Sequence, residues 1–226
     1  MSGLNPAIVL ADADLDLASN CIVASATALA GQKCTATRRV LVAEQVHDAL
    51  LARLAERISA LRVGDPRDPS TDIGPLITPA ARATAEAAVE LAVSAGARVV
   101  ARARAAENRP LFAPALLTNL HPEDLLRRQE LFAPVLTLES FTTADDPWTL
   151  ANRSPYGLSA AIYGRKPSEL AEARERVRAG VLAFNRRSDD VGLEAPFGGH
   201  RRSGNGRAEG GMYGYAAVTE LQAVYE

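Results

Sequence analysis

The sequence predicts an α/β domain built on a mostly parallel, twisted sheet with flanking helices. Two observations lead there: short apolar runs alternate with longer stretches of helical apolar spacing, and no repeat or low-complexity linker divides the 226 residues. In order, residues 7–10 form an apolar strand, an acidic turn follows, and 15–30 carry helical spacing. Residues 40–42 read as a strand, 46–61 as an amphipathic helix, and 80–95 as another, stopped by Gly96 before the strand-like 98–100. Beyond them 134–138 is extended, 145–152 helical, 159–163 extended, 168–178 helical and 181–185 extended. Two long segments, 64–79 and 186–211, are rich in glycine, proline or polar residues, and loops of that length often carry function. Residues 213–225 read as a separate terminal strand, so the chain parses into a domain over 1–212 and a tail over 213–226.

Composition narrows the function classes. The chain has 25 basic against 27 acidic residues, a formal net charge of −2, which argues against nucleic acid as a partner because such binders concentrate a basic excess on one face. The arginine pairs 127–128, 186–187 and 201–202 have acidic neighbours or lack the aromatic residues of a stacking platform, and read as solvated faces. Cys21 and Cys34 are the only cysteines, too few for a disulfide framework, which fits a reducing, cytoplasmic setting. Cys21 sits among Ile22, Val23 and Ala24 and reads as a core residue. No apolar run reaches the roughly 18 residues of a membrane span, and the N-terminus has no export pattern.

Several motifs fail on inspection. Asp12, Asp14 and Asp16 have the spacing of a calcium loop, but Leu17 and Val23 occupy its glycine and glutamate positions, so Asp12 or Asp14 reads as a helix cap. His47, His121 and His200 show no metal-ligand spacing, so no metal site is expected. Gly204-Asn205-Gly206 has Glu209 where a dinucleotide fingerprint needs glycine, and neither Lys33 nor Lys166 follows a phosphate-binding glycine run. No Gly-x-Ser-x-Gly elbow occurs, and the adjacent pairs Asp145-Asp146 and Asp189-Asp190 read as solvated carboxylates.

Gly31-Gln32-Lys33-Cys34 is different. It places a cysteine at the end of an apolar helical run, where Gly31 lets the backbone leave helical geometry and Lys33, Arg38 and Arg39 are cations that could favour a thiolate.

Read with Ser2-Gly3-Leu4-Asn5-Pro6, Glu130-Leu131-Phe132-Ala133-Pro134 and Pro196-Phe197-Gly198-Gly199 followed by Ser203-Gly204, this motif resembles the catalytic domain of the NAD(P)-dependent aldehyde dehydrogenase superfamily. Asn152, Tyr156-Gly157-Leu158-Ser159 and Asn185 extend the resemblance nearly end to end. It implies an enzyme that oxidises an aldehyde or semialdehyde to a carboxylic acid with NAD or NADP. Cys34 would attack the carbonyl to give a thiohemiacetal and then a thioester, its own N–H steadying the oxyanion. Glu130 would bind the nicotinamide ribose, Phe132 would pack near the nicotinamide ring, and Phe197 would border the substrate tunnel. Ala133 replaces the family's usual glycine, and Arg201 stands where lysine is common.

The resemblance also implies a subunit truncated at its N-terminus. In the family the general-base glutamate directly precedes the position of Met1, and the dinucleotide-binding domain with the oxyanion asparagine lies upstream. The isolated chain is therefore expected to lack full dehydrogenase activity, with two alternatives: a weak thiol esterase, or a non-catalytic assembly partner of an intact subunit. Residues 216–225 resemble the family's C-terminal oligomerisation strand and imply a homo-oligomer in the full-length form. By resemblance residues 186–194 lie near the substrate entrance, where Arg186 or Arg187 favours a carboxylated semialdehyde and Asp189, Asp190 and Glu194 oppose one.

Overall fold

The computed structural model describes residues 2–104, 111–220 and 222–225, so Met1 and tail residues 221 and 226 lie outside the described residues. In order the elements are β1 (Asn5–Val9), α1 (Leu15–Thr27), β2 (Thr37–Ala43), α2 (His47–Ser59), α3 (Pro79–Ser94) and β3 (Arg98–Arg102). Then come β4 (Ala115–Thr118), β5 (Val135–Phe141), α4 (Pro147–Asn152), β6 (Tyr156–Gly157), β7 (Ser159–Tyr163), α5 (Pro167–Arg176), β8 (Val181–Phe184), β9 (His200–Arg201) and α6 (Tyr213–Val218).

Seven strands form one sheet in the order β3-β4-β5-β2-β1-β7-β8. Only β3 and β4 pair antiparallel; every other neighbouring pair is parallel. The central strands β1 and β2 are buried along their whole length, as expected where helices cover both faces of a parallel sheet. Their alternation assigns each face. Ala7, Val9, Val40 and Val42 pack with Ile22 of α1 and Leu50 and Leu54 of α2, while Ile8, Leu41 and Ala43 pack with Trp148 of α4 and Ala173 of α5. A third cluster places Ala85, Ala88 and Val89 of α3 on Leu117 and Val135. Pro6 sits in a central strand where the β1–β2 register shifts between Asn5 and Pro6, the kind of irregularity that accommodates its missing N–H.

Asp14 is the cap of α1, accepting from the N–H groups of Asp16 and Leu17, whereas Asp12 accepts from Lys166 N–H beyond the C-terminal ends of the paired strands β1 and β7. Thr78 caps α3, with Pro79 at its first turn.

One strand was not expected and one expectation needs correction. Strand β4, a run of four apolar or small residues after Pro114, is not visible in the apolar pattern. The terminal strand expected over 213–225 does not form: residues 213–218 are helix α6, and the described residues after it join no ladder. A strand's N–H and C=O groups need a neighbouring backbone, and none is present among the described residues, whereas a helix satisfies its own. Met212, Tyr213, Tyr215, Val218, Val224 and Tyr225 consequently project into solvent.

Candidate active site

Helix α1 ends at Thr27, and the chain then tightens into a turn in which Leu29, Ala30 and Gly31 are all left-handed, with φ of 50°, 56° and 72°. The turn redirects the chain so that Cys34 stands half-buried before the N-terminal end of β2. Gly31 has a second reason to be glycine: a Cβ there would lie 2.6 Å from Ala133 C and Pro134 N. The turn before Cys34 and the Glu130–Pro134 segment therefore touch backbone to backbone. Gln32 braces the turn, its side-chain amide donating to Leu29 C=O at 3.0 Å and accepting from Ile77 N–H at 2.7 Å.

Asn5, 1% exposed, fixes the position of Cys34. Its Nδ2 donates to the carbonyls of Cys34 and Ala36, both at 2.8 Å, and its Oδ1 accepts from Ser159 N–H at 3.1 Å. The backbone N–H of Cys34 donates to no protein acceptor among the described residues.

The three cations beside the cysteine are each committed to a carboxylate. Lys33 Nζ donates to Asp189 at 2.7 Å, Arg38 Nη2 to Glu130 at 3.0 Å, and Arg39 Nη2 to Glu139 at 3.1 Å. Arg39 also donates to Leu150 C=O in the C-terminal half of α4. Arg38 binds both loops of the site: Nη1 donates to Ala133 C=O at 2.8 Å and Nη2 to Gly31 C=O at 2.5 Å and Lys33 C=O at 3.3 Å. The side chains of Arg38 and Glu130 are 5% and 1% exposed. Burial pushes the Glu130 carboxyl up, against the opposing pull of Arg38 and of Gly3 N–H. Burial likewise lowers the Arg38 guanidinium, against Glu130.

Glu130 is thus turned inward, its Oε2 accepting from Gly3 N–H at 2.9 Å. Phe132 is the outward member of that loop, 36% exposed at φ 50°, with the Arg38 guanidinium 6.0 Å from its ring centre. Of the two, Phe132 exposes its ring, whereas the Glu130 carboxylate is turned to Arg38 and Gly3. Phe197 is half-buried in a loop where its backbone pairs with that of Glu209. The loop is tied to β8 at Gly180, where a Cβ would lie 1.7 Å from Gly198 O, and to the N-terminal segment through Ser203, which donates to Ser2 C=O.

The 186–194 loop does reach the cysteine turn. Asp189, with its side chain 1% exposed, accepts from Lys33 and from both Nε and Nη2 of Arg187. Burial alone would raise its carboxyl, and the Arg187 and Lys33 hydrogen bonds outweigh that and hold it below the usual carboxylate range. Ser188 anchors the loop beneath, sharing hydrogen bonds with Ser25 and Thr37 and donating to Thr35 C=O. Asn185 links the ends of β7 and β8 by pairing with the backbone of Gly164. Arg201 donates to the carbonyls of Asn152 and Ser154. Sequence reasoning missed Asn5 and Ser188 as organisers of the site. Asn5 was legible only as part of a motif, and Ser188 gave no signal.

A cleft of about 510 Å³ lies at the other end of the sheet, lined by Phe141, Trp148, Lys166 and Arg176 near the C-terminal ends of the parallel strands. Open α/β sheets usually bind ligands at that end, yet here the motif residues gather at the start of β2.

Residues 1–224 match the aldehyde dehydrogenase family, and the chain belongs to it. A succinate-semialdehyde dehydrogenase from Paenarthrobacter nicotinovorans is 36% identical over 229 residues, covering 99% of this chain and 50% of the relative. The crystal structure of lactaldehyde dehydrogenase from Escherichia coli superposes with a TM-score of 0.94 at 33% identity, over 100% of this chain and 47% of that one. A double mutant of betaine aldehyde dehydrogenase from Staphylococcus aureus, solved in complex with NAD+, gives a TM-score of 0.90 at 28% identity, over 96% of this chain and 44% of its own. The chain spans about half the length of the curated relatives it matches.

Proposed function

We propose that this chain carries the nucleophile of an aldehyde dehydrogenase, with Cys34 attacking an aldehyde carbon and the product leaving as a carboxylic acid. The observation that carries the reading is a half-buried thiol whose own N–H has no protein acceptor among the described residues, so that the oxygen of a carbonyl attacked by sulfur finds a donor beside it. Asn5 holds the Cys34 carbonyl and so fixes the Cys34–Thr35 peptide on the other side of the same residue. The thiolate adds to give a thiohemiacetal, loss of hydride leaves a thioester, and water releases the acid. A nicotinamide cofactor, NAD or NADP, supplies the hydride acceptor when bound. Phe132 offers it an exposed ring face, and Glu130 is the carboxylate within the same loop that would take the ribose. Phe197 is assigned to the substrate side. The catalytic unit is residues 1–212.

For the substrate, two cations, Lys33 and Arg187, share one carboxylate, Asp189, while Arg186 is balanced by Asp190. Lys33 and Arg187, which converge on Asp189 beside the cysteine turn, favour a carboxylated semialdehyde over a neutral aldehyde, against the opposing charge of Asp190 and Glu194. The exposed aromatic and aliphatic side chains of the 213–226 tail favour a homo-oligomer in the full-length form. No helix among the described residues is long and apolar enough to cross a membrane, and a cytoplasmic setting is proposed from the two free cysteines.

The test exploits the two thiols. Iodoacetamide labelling is followed separately at Cys34 and Cys21 by peptide mass spectrometry, with and without succinate semialdehyde. Selective slowing at Cys34 supports the reading. Equal slowing at both thiols, or none, removes Cys34 as the site of aldehyde addition.

A further inference from the structure

Arg38 does more than pair with Glu130. Its Nη2 carries two hydrogens and faces three acceptors, the Glu130 carboxylate and the carbonyls of Gly31 and Lys33, while Nη1 holds Ala133 C=O. The Lys33 carbonyl is the oxygen end of the peptide unit whose nitrogen end is the Cys34 N–H. That same oxygen also accepts from Ala36 N–H at 3.1 Å. A peptide oxygen that accepts from a cation and a second donor draws electron density from its own N–H, which becomes a stronger donor, and more so where water is excluded. Neither neighbouring cation is placed to do this: Lys33 is turned to Asp189, and Arg39 to Glu139 and Leu150.

We infer that Arg38 is a positioning residue for acyl transfer at Cys34: it polarises the Lys33–Cys34 peptide and fixes it against the Glu130–Pro134 loop, so the Cys34 N–H meets a developing oxyanion already aligned. This rests on the reading of Cys34 as the nucleophile. Arg38 touches neither substrate nor reacting atoms and acts through the peptide it holds. A planar fork is needed, because the acceptors lie on two loops and a lysine ammonium on a flexible stem cannot span them in one geometry.

The test compares two reactions of one thiol in the full chain. With p-nitrophenyl acetate the Cys34 thiolate attacks the carbonyl carbon, the C–O bond breaks, and p-nitrophenolate leaves with its electron pair, through a tetrahedral oxyanion. With iodoacetamide the same thiolate displaces iodide at a methylene carbon and no oxyanion forms. Both adducts are read at Cys34 by peptide mass spectrometry. Arg38→Met combined with Glu130→Gln removes the cation and its buried counter-charge together. It is expected to slow acylation about tenfold more than it slows alkylation, a fraction of the loss when an oxyanion donor is deleted outright. Arg38→Lys, which keeps the charge, is expected to fall between this variant and the wild type, and it carries the test alone if the double variant does not fold. Acylation and alkylation slowed in equal proportion would show a mere scaffold and overturn the proposal, as would acylation at the wild-type rate. A wild-type chain that is alkylated at Cys34 but never acylated there overturns the nucleophile reading itself, and the role of Arg38 falls with it.

Discussion

Gly31→Ala should be among the most damaging single-methyl changes in this chain. Alanine at φ 72° is strained, by about 1 kcal/mol for one left-handed residue. Its methyl would also stand 2.6 Å from Ala133 C and Pro134 N and 2.8 Å from Ala133 O, all backbone atoms that no side-chain rotation can clear. Separating the two loops adds an overpacking penalty of about 1–3 kcal/mol. The sum, about 2–4 kcal/mol, is a large share of the roughly 5–15 kcal/mol that holds a domain folded. With a urea slope of about 3 kcal/mol/M, the unfolding midpoint should fall by about 1 M. The same separation pulls Gly31 and Ala133 apart around Arg38, so iodoacetamide labelling of Cys34 should change while that of Cys21, mid-helix on α1, does not. An unshifted midpoint with wild-type labelling at Cys34 would show that the turn relaxes freely and that its contact with Ala133 is incidental.

Asn5→Ala should destabilise by about 2–4 kcal/mol, because it strips partners from two carbonyls and one N–H in a buried setting, and urea unfolding reads it. Asn5→Asp should be worse, since it sets a carboxylate oxygen against the Cys34 and Ala36 carbonyls. For Asp189 the folded carboxyl is depressed, so its contribution is present above the unfolded value and disappears as pH falls through the folded one. Asp189→Asn should therefore lower stability at neutral pH and flatten the loss seen on acidification below the ordinary carboxylate range; an unchanged acid limb of the stability curve would refute this. Glu130 has the opposite sign, since its raised carboxyl favours the fold at low pH and that help is lost as pH rises, so Glu130→Gln should not flatten the acid limb. Deleting residues 213–226 should leave the melting temperature of the domain nearly unchanged, because α6 buries no residue of its own, while size-exclusion chromatography reports a smaller assembly.

Much of the fold was legible because it rests on period and punctuation. The 159–163 strand and the helices on 47–59 and 79–94 follow from apolar spacing between clear stops, and the parallel sheet follows from their alternation with strands. Strand β4 was hidden because four residues are too short for a period to show, and β6 and β9, of two residues each, are pairings that only the folded chain brings together. The tail misled for another reason. The expected strand rested on a resemblance, but a strand is a property of two segments, and helix α6 is what a lone segment can satisfy by itself. At the site, the backbone freedom needed at Gly31 was legible. The assignment of charge was not, since Lys33, Arg38 and Arg39 gave no sign in sequence that the remote Asp189, Glu130 and Glu139 would each claim one.

That division of labour explains how a strained turn persists beside the cysteine. Leu29 and Ala30 gain nothing from a left-handed backbone, and two such residues are together unfavourable by about 2–4 kcal/mol. Local preference would continue α1 as helix and carry Cys34 elsewhere. What opposes it is a set of bonds that exist only in the turned conformation: Gln32 to Leu29 C=O and Ile77 N–H, Arg38 to Gly31 and Lys33 C=O, and Asn5 to Cys34 C=O. Hydrogen bonds to a charged donor contribute about 1.5–3 kcal/mol and neutral ones about 1 kcal/mol, so five of them exceed the strain. Four of the five donate to carbonyls of residues 29–34, pinning successive peptide planes rather than side chains. The backbone N–H groups of Lys33, Cys34 and Thr35 have no protein acceptor among the described residues, and the one on Cys34 is carried by the residue that bears the thiol.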